Sequence, residues 1–304
     1  MRPAPLVLVI VSVCACGSAK HVAANRPIVP VLHGARDLTS PAADGGDLAW
    51  TAGGKRFAQT ATLSGDVFVR RAGSAPRRIN PSGTSGMTGG LDAGRLVYQE
   101  LDDTGSHLRL YDLRARRFLP LPASVRRARP IVWKPTLSGP YLLFGRLGGG
   151  WDVLLTDLRS GRTRVLARNR AHAGYAVPGQ VNGRYAVWTW CSEEACSVWE
   201  YDIGSERARR LPIGNLYRSG VEGPSVAPDG TVYYGQGGLS CGSGVSLYRY
   251  GPGRGISKLA ALPPGIDFQY SFAERARGGV RVLFDRYDCG RKRFDIAAVL
   301  DPTG

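Results

Sequence analysis

The sequence predicts an all-β chain, a six-bladed β-propeller closed by an N-terminal strand that completes the last blade. Three observations carry that prediction. One short apolar strand recurs six times, at Asp47-Leu-Ala-Trp50, Arg95-Leu-Val-Tyr98, Tyr141-Leu-Leu-Phe144, Tyr185-Ala-Val-Trp188, Thr231-Val-Tyr-Tyr234 and Arg281-Val-Leu-Phe284. The first residues of these segments stand 48, 46, 44, 46 and 50 positions apart. Units of about 45 residues with four strands each are propeller arithmetic. No stretch of the chain sustains a helical period of apolar residues.

The elements follow in chain order. Arg2 precedes a small or apolar stretch from Leu6 to Ala15. That stretch is too short to cross a bilayer, which takes about 20 residues, and it has the form of an export signal. Val13-Cys-Ala-Cys-Gly17 is similar to a bacterial lipobox with Cys16 as the lipidated cysteine. Ordinary cleavage after Ala19 is the alternative. The expected division is a signal peptide over 1–15, a linker over 16–25 and a propeller over 26–304. Arg26-Pro-Ile-Val-Pro-Val-Leu-His33 has the apolar run of a strand and no repeat of its own. The sixth unit stops at Asp301-Pro-Thr-Gly304, before a fourth strand. The first segment is therefore expected to complete the last unit, where Pro27 and Pro30 are tolerated at an outer edge. A linker is the other reading of that proline-bearing segment.

Within each unit, turn signals separate the strands. Gly45-Gly46, Ala93-Gly94, Ser138-Gly139, Asn182-Gly183, Asp229-Gly230 and Gly278-Gly279 precede the recurring strand, and such pairs supply the positive φ of tight hairpins. The next strands end at Asp112, Asp157, Asp202 and Asp301. Aspartate suits the first position of a β-turn because its carboxylate bonds the backbone two residues on. Short basic strands follow, such as Arg116-Arg-Phe-Leu119, Thr163-Arg-Val-Leu166 and Arg209-Arg-Leu211.

Asp157-Leu-Arg-Ser-Gly-Arg-Thr-Arg-Val-Leu166, preceded by Leu137-Ser-Gly-Pro-Tyr-Leu-Leu-Phe144, resembles a blade of the TolB-like propeller family. Val226-Ala-Pro-Asp-Gly-Thr-Val-Tyr233 resembles that family's Ser-Pro-Asp-Gly turn, with Ala227 in place of Ser. The resemblance covers residues 26–304 and implies the propeller architecture and partner binding at the envelope. The family's additional N-terminal domain has no counterpart here, so its specific role does not carry over.

The chain has 40 Lys+Arg against 24 Asp+Glu, a formal net charge of +16. Strands in a blade alternate direction. The 1–2 and 3–4 turns therefore share one face, and the 2–3 loops and 4–1 connections share the other. The 3–4 turns collect Arg116, Arg117, Arg162, Arg164, Arg209 and Arg210. Charge on an outer edge blocks pairing between molecules. A fourth strand starts on this face, so Arg26 is expected to emerge there. A lipid on Cys16 would then hold the basic rim toward an anionic membrane surface. Export argues against nucleic acid as a partner.

Removal of the signal leaves Cys191, Cys196, Cys241 and Cys289, an even number in an exported chain, which reads as two disulfides. Three connectivities are open to four cysteines, and a Cys191–Cys196 loop staple with a Cys241–Cys289 bridge is favoured. The 2–3 and 4–1 face also carries Arg129, Trp133, Trp151, His172, Tyr175, Trp190, Tyr217, Arg218, Glu222 and Asp267, a mixture that suits ligand or partner recognition. No metal or cofactor is expected, because Cys-x2-Cys and paired histidines at ligand spacing are absent. The acid pairs Asp102-Asp103 and Glu193-Glu194 read as solvated rather than calcium-binding. Gly238-Leu-Ser-Cys-Gly242 matches Gly-x-Ser-x-Gly, but a nucleophile elbow needs a strand-to-helix turn.

These features predict a non-catalytic, exported, lipid-anchored monomer that binds an envelope protein or glycan. The alternative is a secreted hydrolase or lyase with a carboxylate or metal site at the channel mouth. Convergence of acids, His172 and an arginine in one pocket would favour the enzyme; a mouth lined by aromatics and small residues would favour the binding module.

Overall fold

In a computed structural model of the chain, the described residues are 25–34, 36–56, 63–128, 131–170, 174–192, 195–214, 224–236 and 244–304. Repeat one contributes strands Leu38–Asp44, Asp47–Arg56, Leu63–Arg70 and Arg77–Arg78. Repeat two contributes Ser85–Asp92, Arg95–Asp102, Gly105–Asp112 and Arg117–Leu119. Repeat three contributes Ile131–Ser138, Tyr141–Leu147, Gly150–Asp157 and Thr163–Arg170. Tyr175–Asn182, Tyr185–Cys191, Cys196–Asp202 and Arg207–Arg210 form repeat four. Ser225–Val226, Val232–Gln236, Ser246–Gly251 and Gly255–Ala261 form repeat five. Repeat six supplies Ile266–Ala276, Gly279–Asp288 and Arg293–Asp301. One short helix, Ala123–Arg126, follows repeat two. Four residues are too few to show an apolar period, so this helix has no signature in the sequence.

Repeats three, four and five each form a four-stranded antiparallel sheet in chain order. The strands of repeats one and two form a larger sheet, in which the two sets meet at the single pairing Gly65–Gly86. The sheets are arranged as a propeller. The recurring strand is the second in each repeat. Packing covers it on both faces, so it reads as a continuous apolar run rather than an alternating one. Leu142, Leu143 and Phe144 all have no exposed surface.

The first strand breaks register at the same place in five repeats, between Thr39 and Ala42, Thr88 and Gly90, Trp133 and Thr136, Pro178 and Val181, and Phe268 and Ser271. A bulge bends a strand and re-aims its side chains. At two of these bulges a non-glycine residue takes positive φ, Ser40 at 53° and Lys134 at 44°. Side chains then tie neighbouring first strands together. Thr136 Oγ1 accepts from Val181 N at 3.0 Å. Gln180 reaches repeats five and six, accepting from Val226 N and Ala273 N and donating to Ala273 O.

The chain closes as expected. Val29–Leu32 pairs antiparallel with Arg293–Asp301, with Val29 opposite Ala298 and Leu32 opposite Ile296. One expectation is corrected. Arg26 does not emerge beside the 3–4 turns. Its backbone N–H donates to Leu259 O at 3.0 Å, and Asn25 Oδ1 accepts from Ala261 N at 2.9 Å. Ala261 is the last residue of its strand and pairs with Ser246, at the end away from the Gly251–Gly255 turn. The free edge of repeat five offers backbone donors and acceptors, and the entering chain satisfies them before it reaches its own sheet.

The turn aspartates behave as the sequence indicates. Asp112 Oδ1 accepts from the N–H groups of Arg114 and Ala115 at 2.8 Å each. Asp157, Asp202 and Asp301 make the same contact with Arg159, Gly204 and Thr303 at 2.9, 2.9 and 3.1 Å. Backbone N–H donors thereby hold Asp112 and Asp157 below the usual carboxylate range.

Candidate functional site

The 2–3 loops and 4–1 connections of repeats one to three surround a cavity of about 790 Å3. Its wall includes Gly53, Gly65, Gly83 and Gly105, the apolar Leu101, Ile131 and Leu147, and the aromatic Trp133 and Trp151. Arg36, Asp66, Gln99, Asp102 and Asp103 supply polar groups, with the hydroxyl residues Ser64, Thr84, Ser85 and Ser106. The bulge after Trp133 swings this residue toward the loop face, and the strand pairing sets it opposite Gly145. Glycine is required there, because a Cβ on Gly145 would stand 2.1 Å from Trp133 Nε1. Trp151 meets Trp133 edge to face at 5.1 Å and 71°, a favoured aromatic geometry. Tyr175 extends the row, with its ring 6.3 Å from Trp151 and 41% of its surface exposed.

Tyr175 is braced from below by the 2–3 hairpin of repeat four, where it pairs with Cys191. Cys191 and Cys196 are bonded directly across that hairpin, with Cα atoms 4.0 Å apart. Gly174 permits the approach, with φ of 112° and a backbone so close that a Cβ would lie 1.8 Å from Cys191 O. Cys289 is also disulfide-bonded; Cys241, its expected partner, lies outside the described residues. Of the other face residues singled out by sequence, Trp190 packs on the Leu143–Trp188 core cluster. Asp267 stands opposite Tyr287 in repeat six. Neither lines the cavity. Arg129, His172, Tyr217, Arg218, Glu222, Glu193, Glu194 and the Gly238–Gly242 motif lie outside the described residues, as do Cys16 and the signal segment.

The acids of the cavity are used unequally. Asp66 pairs with Arg78 at 3.1 Å and Arg36 at 3.9 Å. Asp102 Oδ1 accepts from Thr104 N and Thr104 Oγ1, which keeps it below the ordinary carboxylate range. Thr104 Oγ1 also lies 2.8 Å from His107 Nε2. A hydroxyl has one proton, and Asp102 receives it. His107 must therefore donate to Thr104, which makes the imidazole a poor base for that hydroxyl. Among the described residues no group of three His, Cys, Asp or Glu could hold a metal ion.

A second polar cluster lies at the axis. Lys134 Nζ sits 3.9 Å from the Tyr270 ring centre and 5.5 Å from that of Trp133. Asp285 is fully buried and accepts from Ser40 N–H at 3.0 Å. Burial pushes its carboxyl up to about 8, against the opposing pull of that hydrogen bond and of Lys134. Ser40, Lys134 and Tyr270 line a small space there, about 50 Å3.

The basic rim is built differently. Arg209 pairs at 2.8 Å with Glu200, whose side chain is 2% exposed. Arg109 does the same for Glu100 at 2.6 Å, and Arg281 for Glu274. Arg249 pairs with Asp301 at 2.6 Å. Arg164 bridges to Glu206 of the next repeat at 2.6 Å. Arginine fits this task because its apolar stem covers the sheet while its planar fork satisfies a buried carboxylate. Arg116, Arg117, Arg162 and Arg210 are exposed on the same rim.

No family model matches the sequence, and no curated protein matches it. Solved structures do. A putative TolB from Agrobacterium tumefaciens superposes with a TM-score of 0.56 at 10% identity, over 91% of this chain and 97% of that one. TolB from Acinetobacter baumannii gives 0.46 at 14% identity, over 79% of this chain and 60% of its own length. Pyrococcus horikoshii acylaminoacyl peptidase gives 0.49 at 9% identity, over 83% and 43%. The Agrobacterium tumefaciens likeness, at 10% identity, speaks to fold alone, and it shows that the chain has a TolB-like β-propeller fold.

Proposed function

We propose that this chain is a non-catalytic, exported propeller that binds an envelope protein or glycan at the mouth formed by its 2–3 loops. One observation carries this reading. The described wall of the mouth cavity is built of aromatic, aliphatic, glycine, hydroxyl, amide and carboxylate groups with one arginine, and its Asp102 already accepts from Thr104 N and Thr104 Oγ1. That composition suits recognition rather than bond cleavage. Six blades are the count that fits, since the strands of repeats one and two fall into two quartets that meet at Gly65 and Gly86.

A disulfide across the 2–3 hairpin of repeat four fits an oxidising compartment. The lipobox at Cys16 would fix the chain to the outer side of a membrane as a monomer. Its entry point against repeat five leaves the basic rim free to meet anionic lipid by itself. Mass spectrometry of the mature N-terminus tests the anchor: an acylated Cys16 supports it, a start at Lys20 replaces it with plain cleavage, and a retained Met1 overturns export. The binding role is tested by capture from envelope extract. Loss of the captured species on Trp151→Ala supports it, and unchanged capture overturns it.

A further inference from the structure

We propose that the mouth cavity binds an organic cation, an ammonium group carried on a short apolar stem. The proposal rests on the reading of the chain as a binding module and names the ligand class at its mouth. A cavity of about 790 Å3 falls in the size range of small-ligand sites. Within it, the unsatisfied polar chemistry is that of an acceptor. Gln99 is 5% exposed, and its Nε2 donates to Ser106 Oγ at 2.9 Å. Ser106 gives its only proton to Val132 O, so it must accept from the amide. That chain fixes the orientation of the carboxamide and leaves Oε1, which has no hydrogen-bond partner. Asp103 is exposed at the same wall and makes no ion pair among the described residues. Trp133 Nε1 also lacks a partner, but it is turned against the Gly145 backbone.

The charge balance points the same way. Among the described residues, the charged ones of the wall are Asp66, Asp102 and Asp103 against Arg36, in a chain of net +16. An anion would meet acceptor oxygens with one guanidinium opposite them, and that guanidinium already faces Asp66 at 3.9 Å. A cation would satisfy Gln99 and Asp103 and rest on the indole of Trp151, since ammonium groups are attracted to aromatic faces. Trp133 already carries a cation in this way, with Lys134 Nζ 5.5 Å from its ring centre.

The test is a titration of the mature chain at fixed ionic strength, read by tryptophan fluorescence and calorimetry. The probes are choline, its neutral isostere 3,3-dimethylbutan-1-ol, an acetylated trilysine amide and glucose. Choline or the trilysine should bind saturably, and the neutral isostere at least 10-fold more weakly than choline. Trp151→Ala should weaken cation binding at least 10-fold and Asp103→Asn about 3-fold; Asp103 is exposed and Trp151 half-buried, so melting curves must show each variant folded before binding is compared. Gln99→Glu should tighten it. Stronger choline binding assigns the site to a free small cation, and stronger trilysine binding to a basic side chain of a peptide. Equal binding of choline and its isostere, preference for glucose, or no cation binding by the folded chain would each overturn the proposal. If an envelope partner is still captured in a Trp151-dependent way, the ligand class fails while the binding reading stands.

Discussion

The mouth cavity and the basic rim both lie where strands end, yet they treat their polar groups in opposite ways. At the mouth, among the described residues, Gln99 Oε1 has no donor and Asp103 no ion pair. At the rim, some arginines are committed to buried carboxylates, as Arg209 is to Glu200 and Arg249 to Asp301, beside exposed ones such as Arg116 and Arg117. The formal charge of +16 therefore overstates how much positive charge the rim can offer a partner. The site with unmet chemistry is the acidic one. Net charge located a structural device, and unpaired groups locate the candidate site.

This contrast can be broken by experiment. The largest effect should come from Arg209→Ala, which leaves Glu200 buried without its partner and should cost about 3 kcal/mol in denaturant unfolding at pH 7. Arg210→Ala, its exposed neighbour, should change stability by less than about 0.5 kcal/mol. Equal effects would mean that the rim is plain surface charge. Next, Cys191→Ser with Cys196→Ser opens a short loop and should cost about 2 kcal/mol, while freeing Tyr175 and weakening mouth binding. Gly145→Ala should cost about 1–2 kcal/mol as Trp133 is displaced, with loss of mouth binding and no change at the rim.

A subtler effect separates two buried acids. Glu200 has an arginine, whereas Asp285 has a backbone N–H and the more distant pull of Lys134. Because burial raises the Asp285 carboxyl to about 8, the fold favours its protonated form. The stability this supplies is complete below the unfolded value near 4 and is lost as pH rises through about 8. The melting temperature should therefore fall between about pH 4 and 8, and Asp285→Asn should flatten that fall. An unchanged slope would show that Asp285 is ionised throughout. The smallest effect is expected from Arg116→Glu with Arg117→Glu and Arg162→Glu: weaker binding to anionic vesicles at unaltered stability.

The sequence exposed whatever was local. The recurring apolar strand, the glycine-bearing hairpins and the turn aspartates each act within a few residues, so pattern alone placed them. The closing strand was legible too, from the missing fourth strand of the sixth repeat. The route of the chain before it was not. Arg26 follows the free edge of repeat five, a tertiary contact with no local signal. Trp133, Trp151 and Tyr175 are legible as candidates because aromatic residues at loop ends stand out. Gln99, Arg36 and Asp66 were missed, because they come from strands and connections far apart in sequence. A glutamine between two strand residues carries no sign that its oxygen will lack a donor. The acid pair Asp102-Asp103 was noticed but read as solvated. Register then divided it, giving Asp102 to Thr104 and leaving Asp103 at the cavity wall.

The most direct measurement compares the two regions in one assay. Mature wild-type chain, Trp151→Ala and a rim variant with Arg117→Glu and Arg210→Glu are immobilised and exposed to the same envelope extract, after melting curves show all three folded. The rim variant should retain the wild-type set of captured species, and Trp151→Ala should lose it. Retention by Trp151→Ala with loss from the rim variant would contradict the account and move the binding site to the arginines.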